Sequence, residues 1–562
     1  MRGDRVEPVS RRRARKAAER PTADAAPVRA EARWPTPAWL RRPRLVVGGL
    51  GLVNLVLCLA MFDPKIHTGG DSSHYVLLAE SLLRAGDGYS DTMAPGDPVP
   101  HTKYPPGYPL LLAPLLAIFG RDIVLLKLLS VALTVASTLV YAALARERAG
   151  ETRWLPVGLA FAVSPVVIDY SHWLLSEAAF LLCTLVALLF AERARREEGL
   201  RGPYFWLAVV AIAAAYWVRS IGAALVVAGT LYYAASRRWR QCLAYSALGA
   251  ALTLPWFVRG QVLAGTGSPY LEQFLLKSVY EPEAGYHDLA GMIGRFFANV
   301  GIYSAREMPR VLAGSDSAWA ATEPMKALAV GLCVIVLLGF VHVVRSRPGL
   351  SETYFALSLL AILLFEEVVS DVRYLMPLVP LLLLYADEGL TRLAGRLGRV
   401  GGPRALASVA MVLIALVGAT SQLVRAPANL DMVRRYALGD PFAGYLPNWR
   451  SFFLAADWVA ANTPPDAAVT VRKPRLFNLR TDRRVVEYPF STDATAVLDV
   501  VLGTDYIVID QISGTTGRYL VPAVESAPDR FRVVYRSPEG PPTWILEVLP
   551  PAAGDADRGV GG

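Results

Sequence analysis

The chain has 562 residues, 54% of them hydrophobic and only 19% charged, with a mean hydropathy of +0.35. These values exclude an ordinary soluble protein of this length and imply a polytopic membrane protein. The formal net charge is +9, but residues 1–44 hold 13 basic against five acidic residues, so one tail carries nearly all the surplus and nucleic-acid binding is not implied.

The tail (RRRARKAAER and its neighbours) has no apolar h-region, which excludes a cleavable signal peptide and predicts a disordered cytoplasmic arm near anionic lipid. Mostly apolar spans then recur at 45–62, 122–145, 154–168, 174–191, 204–218, 220–235, 241–257, 326–344, 353–366, 374–390 and 405–424, about eleven in all. With a cytoplasmic N-terminus every second loop should be rich in Arg and Lys. Loops 146–153, 192–202, 237–240, 345–352 and 391–404 fit that rule. Loops 63–121 and 258–325, and everything after 424, then face outward. Segment 105–120 (PPGYPLLLAPLLAIFG) is apolar but short and proline-rich, which predicts a juxtamembrane or re-entrant helix. The outer loop 258–325 mixes aromatics with charge and predicts interfacial helices. Cys58, Cys183, Cys242 and Cys333 fall in or at the ends of apolar stretches without a CxxC, so neither a disulfide framework nor a zinc site is indicated.

After 424 the composition becomes that of a soluble domain. Residues 449–467 predict a helix stopped by Pro464 and Pro465, while AVTV, VVEY, DYIVID, FRVVYRS and TWILEVL predict short strands. Residues 425–550 are therefore expected to form an exported α/β domain, with 551–562 a disordered tail.

Charges at membrane depth are costly, so those that gather at one face invite a functional reading. Under the alternation above, Asp71, Lys103, Asp169, His172, Glu177, Arg219, Glu366, Glu367, Asp371 and Arg373 all fall at outward ends of spans or in outward loops. Cations beside acids, on the side without cytosolic nucleotides, suit a substrate that carries phosphate and a reaction that needs a base. Asp71 follows two glycines at the start of a helix, where capping that helix is the structural alternative to a catalytic role and compatible with it. The histidines His74, His101 and His172 match no metal-ligand spacing and suit interfacial hydrogen bonding; Tyr104 and Tyr108 suit an aromatic belt.

An early outer-loop acid in GGDSSHYVLLAESLL, followed by KYPPGYPLLLAP, then LSE (175–177), WVRS (217–220), DVRYLMPLVPLLL (371–383), ADWVAANTPPDAAV and RKPRLF, resembles the GT-C fold glycosyltransferases. The set is most similar to bacterial relatives of protein mannosyltransferases and lipid A aminoarabinose transferases, over about residues 63–510. The resemblance implies a GT-C-like helical membrane domain that transfers sugar from a polyprenyl-phosphate donor, with inversion, on the outer face of the bacterial inner membrane. The acceptor would be a glycan, a lipid or a protein. It assigns Asp71 as the catalytic residue, taking a proton from the acceptor hydroxyl or orienting it for attack, and Lys103, Arg219 and Arg373 to the donor phosphate. Glu177, His74, His101, Tyr104 and His172 fall to substrate or acceptor binding. The chain departs from the family in two places. Ser72 follows Asp71 where paired acids are expected, and the metal-binding Asp-x-Asp of oligosaccharyltransferase catalytic subunits is missing. No cofactor is assigned; a divalent metal, if used, would fall to Asp71 and Glu177. The competing class is a secondary transporter or lipid flippase, which would place ions near the midplane and show internal repeats. This chain shows no repeat and collects its charges at one face.

Overall fold

The computed structural model describes residues 42–197, 199–264, 274–396 and 402–550. The basic tail up to residue 41 and the final segment 551–562 lie outside the described residues. The described residues from 47 to 550 form one compact unit.

All eleven apolar segments are helical: Pro43–Ala60, Ile123–Ala149, Trp154–Ala162 continued by Pro165–Asp169, Glu177–Ala194, Pro203–Val218, Ala223–Ala235, Trp239–Ala264, Glu323–Ser346, Leu350–Leu363, Val379–Arg396 and Pro403–Ala437. By length and composition, five helices among the described residues suffice to cross a bilayer, and six if the bent pair counts as one span. Among the others, Pro203–Val218 and Leu350–Leu363 are shorter apolar helices. The bent pair changes direction by 42° where Ser164 turns extended and Pro165 restarts the helix without an amide donor. The helices pack pairwise, chiefly Glu177–Ala194 on Pro203–Val218 and Glu323–Ser346 on Val379–Arg396.

The loops expected on the basic side join one another. Arg148 pairs with Glu192 at 3.0 Å and with Glu352, and Arg153 pairs with Asp387 at 2.7 Å. Loops 146–153 and 192–202 therefore share one end of the bundle with residue 352. All four cysteines are free thiols.

At the opposite end lie the helix Asp71–Leu83, a hairpin of β1 (Ser90–Asp91) and β2 (Val99–Pro100), and the short proline-containing helix Gly107–Phe119. The second long loop forms the helix Leu289–Ile302 and, through a π-turn, Met308–Ala313. The final apolar helix was expected to end near residue 424, but it runs 35 residues to Ala437. At 1.5 Å per residue that is about 50 Å, well beyond a hydrocarbon core of about 30 Å. The polar stretch RAPANLDMVRRYA holds enough helix formers to continue the helix beyond the apolar part, so no loop separates the bundle from the start of the C-terminal region.

That region carries all five expected strands: β3 (Ala468–Thr470), β4 (Arg484–Val486), β5 (Tyr506–Ile509), β6 (Phe531–Arg536) and β7 (Trp544–Val548). Their order is β4-β3-β5-β7-β6, with β4, β3 and β5 parallel and β7 antiparallel to both neighbours. The helix Pro447–Asn462 ends before Pro464 and covers the sheet with Phe452, Phe453 and Val459, which pack on Val469, Phe477 and Ile545. This domain is docked on loops 63–121 and 258–325. Val485 N–H donates to Met93 O at 2.8 Å, Tyr445 Oη to Ile66 O at 2.9 Å and Tyr519 Oη to Tyr280 O at 3.0 Å.

Candidate functional site

Gly70 adopts φ +95°, a conformation that favours glycine, and the chain turns there into the helix that begins at Asp71. Capping does not explain Asp71: it is the first helical residue, and no side chain caps this helix. Its carboxylate instead accepts from Tyr104 Oη at 3.0 Å and from Arg373 Nη1 at 3.1 Å. Burial alone would raise the Asp71 pKa, but the charge and hydrogen bond of Arg373, then Tyr104, outweigh it and bring the pKa down to about 2.

The KYPPGYP segment faces this acid. Lys103 Nζ lies 5.8 Å from the Tyr104 ring centroid, and burial, followed by the charge of Arg475, lowers the Lys103 pKa below its ordinary value. Gly107 starts the next helix against the end of Pro203–Val218. A Cβ there would stand 2.5 Å from Trp217 O. Only glycine lets this backbone lie against WVRS, which brings Lys103 and Arg219 to one chamber. Arg219 itself ion-pairs with Glu177, the first residue of its helix, and donates to Ser176 Oγ at 3.3 Å. Neither Glu177 oxygen accepts a well-aligned hydrogen bond among the described residues, although both are buried.

These groups line one cavity of about 450 Å³: Asp71, Lys103, Tyr104, Glu177, Arg219 and Arg373, with Tyr354, Phe365 and Tyr374 on the apolar wall. Three cations and two carboxylates at the end of a mainly apolar pocket suit a lipid whose headgroup carries phosphate and sugar. Arg373 also donates to Tyr374 Oη at 3.1 Å. Burial pulls its pKa down, but Tyr374, Glu177 and Asp71 together hold it well above the ordinary value.

The other sequence candidates stand behind this cavity. His74 and His101 do not line it. They clamp Asp91, His74 Nε2 lying 2.5 Å from Oδ1 and His101 Nδ1 2.8 Å from Oδ2. His101 Nε2 in turn accepts the Tyr104 N–H at 2.8 Å. These two histidines therefore brace the residue that touches Asp71. His172 is buried beneath Phe62, with ring centroids 6.3 Å apart, and lies away from the lining. Asp91 and Tyr374 were not singled out from sequence. Their only signals were a carboxylate between two histidines in one loop, and a tyrosine beside Arg373.

The residues do not fit a catalytic divalent ion. Asp71 and Glu177 each face an arginine that repels a cation, and they belong to no group of three ligand donors among the described residues. His74, Asp91 and His101 bring ligand atoms within 4.8 Å of one another, but their protons are otherwise committed. With His101 Nε2 accepting from Tyr104, Nδ1 carries the proton that Asp91 receives, and a metal there would demand the opposite tautomer.

A sequence model of glycosyltransferase family 87 matches residues 102–370. Among solved structures, ArnT from Cupriavidus metallidurans in the apo state is 13% identical, with a TM-score of 0.54 over 91% of this chain and 98% of that one. The same protein bound to undecaprenyl phosphate gives a TM-score of 0.51 at 14% identity, covering 90% and 97%. The archaeal oligosaccharyltransferase AglB from Archaeoglobus fulgidus, in complex with an inhibitory peptide and a dolichol-phosphate, gives 0.54 at 14% identity, covering 84% and 70%. No curated protein matches the chain by sequence. The fold is thus the GT-C fold of these integral membrane proteins, and the family match gives the enzymatic class, a glycosyltransferase.

Proposed function

We propose that this chain, a membrane glycosyltransferase of the GT-C fold, moves a sugar from a polyprenyl-phosphate-linked donor to an acceptor hydroxyl at the outer face of the bacterial plasma membrane. The observation that carries this reading is the single chamber in which an acid, Asp71, meets three cations, Lys103, Arg219 and Arg373. The lipid phosphates bound by ArnT and AglB support the donor class. The alternation of basic loops and the absence of nucleotide sugars outside the cytosol support the outer face.

The acceptor oxygen attacks the anomeric carbon from the side opposite the phosphate. A new C–O bond forms as the sugar–phosphate bond breaks, and the electron pair departs with the phosphate, inverting the centre. Asp71 accepts the hydroxyl proton. At a pKa of about 2 it is a weak base while Arg373 holds it. A donor phosphate competes for Arg373, and each hydrogen bond it takes raises the basicity of Asp71. Lys103, Arg219 and Arg373 offset the charge that builds on the leaving phosphate, an electrostatic contribution expected to dominate the rate enhancement. Glu177, with its buried oxygens still able to accept, orients a sugar or acceptor hydroxyl. His74 and His101 act through Tyr104.

The test is turnover by the purified chain in proteoliposomes supplied with polyprenyl-phosphate sugars and fractionated envelope lipids and glycans. Release of polyprenyl phosphate together with an inverted product is expected. Turnover with nucleotide sugars alone, or retention of configuration, would overturn the reading. In a background lacking the four native cysteines, a cysteine at Ser491 should react with an impermeant thiol reagent from outside, and one at Ser236 should not.

A further inference from the structure

The helix Pro474–Thr481 of the exported domain lies alongside Asp71–Leu83. Arg121 ties their C-terminal ends together: it donates to Glu80 Oε2 at 2.9 Å, to Asp482 Oδ1 at 2.7 Å and to Leu479 O at 3.1 Å. Glu80 is near the end of one helix and Asp482 caps the other, so the two run parallel with their starts together. Arg475 is the second residue of its helix, about two turns before Asp482, and so stands at the start that adjoins Asp71. Helical side chains lean toward the N-terminus, so its guanidinium is directed to the turn that holds Asp71. Lys473 immediately precedes the helix at its N-cap.

These two cations differ from their neighbours. Arg472 is paired with Glu487 and Arg480 with Asp457, while Arg483 donates to backbone oxygens. Neither Lys473 nor Arg475 has a carboxylate at ion-pair distance among the described residues, and Arg475 Nε is buried without a hydrogen-bond partner. Arg475 also acts electrostatically on both Asp71 and Lys103. Partly buried cations left without a counter-charge are costly unless an anion arrives to meet them.

We infer that Lys473 and Arg475 form the second jaw of a phosphate-binding site at the chamber mouth, opposite Lys103, so that the exported and membrane domains bind one phosphate between them. The inference rests on the proposed transfer reaction. The phosphate belongs either to the carrier lipid or to the acceptor.

The experiment uses the full chain in zwitterionic nanodiscs, titrated separately with farnesyl phosphate and with glycerol 3-phosphate. The double substitution Lys473→Gln, Arg475→Gln is expected to weaken one probe by about tenfold or more, and Arg475→Lys to recover part of the loss. Loss confined to farnesyl phosphate assigns the carrier; loss confined to glycerol 3-phosphate assigns an acceptor phosphate. If the double variant does not fold, Lys473→Gln alone carries the test, with about a threefold loss. Wild-type affinity of the variants for both probes overturns the inference, as does a wild-type chain that binds neither. A wild type that binds glycerol 3-phosphate through this pair but no farnesyl phosphate defeats the transfer reading and leaves the inference standing.

Discussion

Arg373 Nη1 donates to Asp71 Oδ2 at 3.1 Å across 302 residues of chain, so the group assigned to the leaving phosphate holds the group assigned to the proton. Removing the Asp71 charge should therefore do two opposite things. Asp71→Asn is expected to lower transfer by roughly 10²- to 10⁴-fold, while farnesyl phosphate binding stays equal or tightens a few-fold, because Arg373 is released to the anion. Lys103→Ala should instead weaken that binding by about tenfold. Wild-type turnover by Asp71→Asn, measured in proteoliposomes, removes Asp71 from the mechanism.

Gly107 is the second test of the chamber. A Cβ would stand 2.5 Å from Trp217 O and 2.7 Å from its carbonyl carbon, and backbone atoms do not yield as a side-chain tip does. Gly107→Ala should push KYPP away from WVRS, costing about 1–3 kcal/mol of stability and weakening lipid phosphate binding, since Lys103 and Arg219 separate. Gly294→Ala, with nothing within 4 Å of the added carbon, is the matched control on the helix Leu289–Ile302. If the two substitutions behave alike in melting and in binding, contact at Gly107 does not shape the site.

The sequence made Asp71, Lys103, Glu177, Arg219 and Arg373 legible because each is a charge that an apolar chain keeps at one face, and the chamber collects all five. It did not separate them from His74, His101 and His172, which share their loops but sit behind the lining. That distinction depends on Asp91, 17 residues from His74 in sequence, and only the β1–β2 hairpin brings it between the two rings. The strands of the C-terminal domain were visible as short apolar runs between turns. Its attachment was not, because hydropathy marks where a helix stops being apolar rather than where it ends, as Pro403–Ala437 illustrates.

The histidine clamp should make the protein acid-labile. Burial, against the opposing help of Asp91, holds the His74 pKa down at about 4, and burial followed by Arg373 holds His67 at about 4. Between pH 6.5 and 4 the unfolded chain binds these protons and the folded one does not. Stability is therefore full above 6.5 and falls by up to about 1.4 kcal/mol per pH unit for each histidine as pH drops through that window. Asp510, raised by burial to about 6, works in the opposite sense. His74→Gln should flatten the slope of the unfolding midpoint in detergent between pH 7 and 5. An unchanged slope would mean that His74 is not held neutral by the fold.

Arg121 offers the last test, since it joins three groups that belong to two domains. Its contacts to Glu80, Asp482 and Leu479 O fix how Pro474–Thr481 lies along Asp71–Leu83. A guanidinium can satisfy all three at once through its fork of donors, whereas an ammonium offers no such planar geometry. Arg121→Lys should thus loosen the docking almost as much as Arg121→Ala. The other domain contacts, from Val485 to Met93 and from Tyr445 to Ile66, remain, so the domain should stay folded but shift. The expected result is faster proteolysis near 482–484 with an unchanged melting temperature for the bundle. Turnover should fall through a higher KM while kcat holds, because Asp71 and Arg373 do not depend on this bridge. A loss confined to kcat, with KM unchanged, would place Arg121 in the chemistry and overturn its role as a tie.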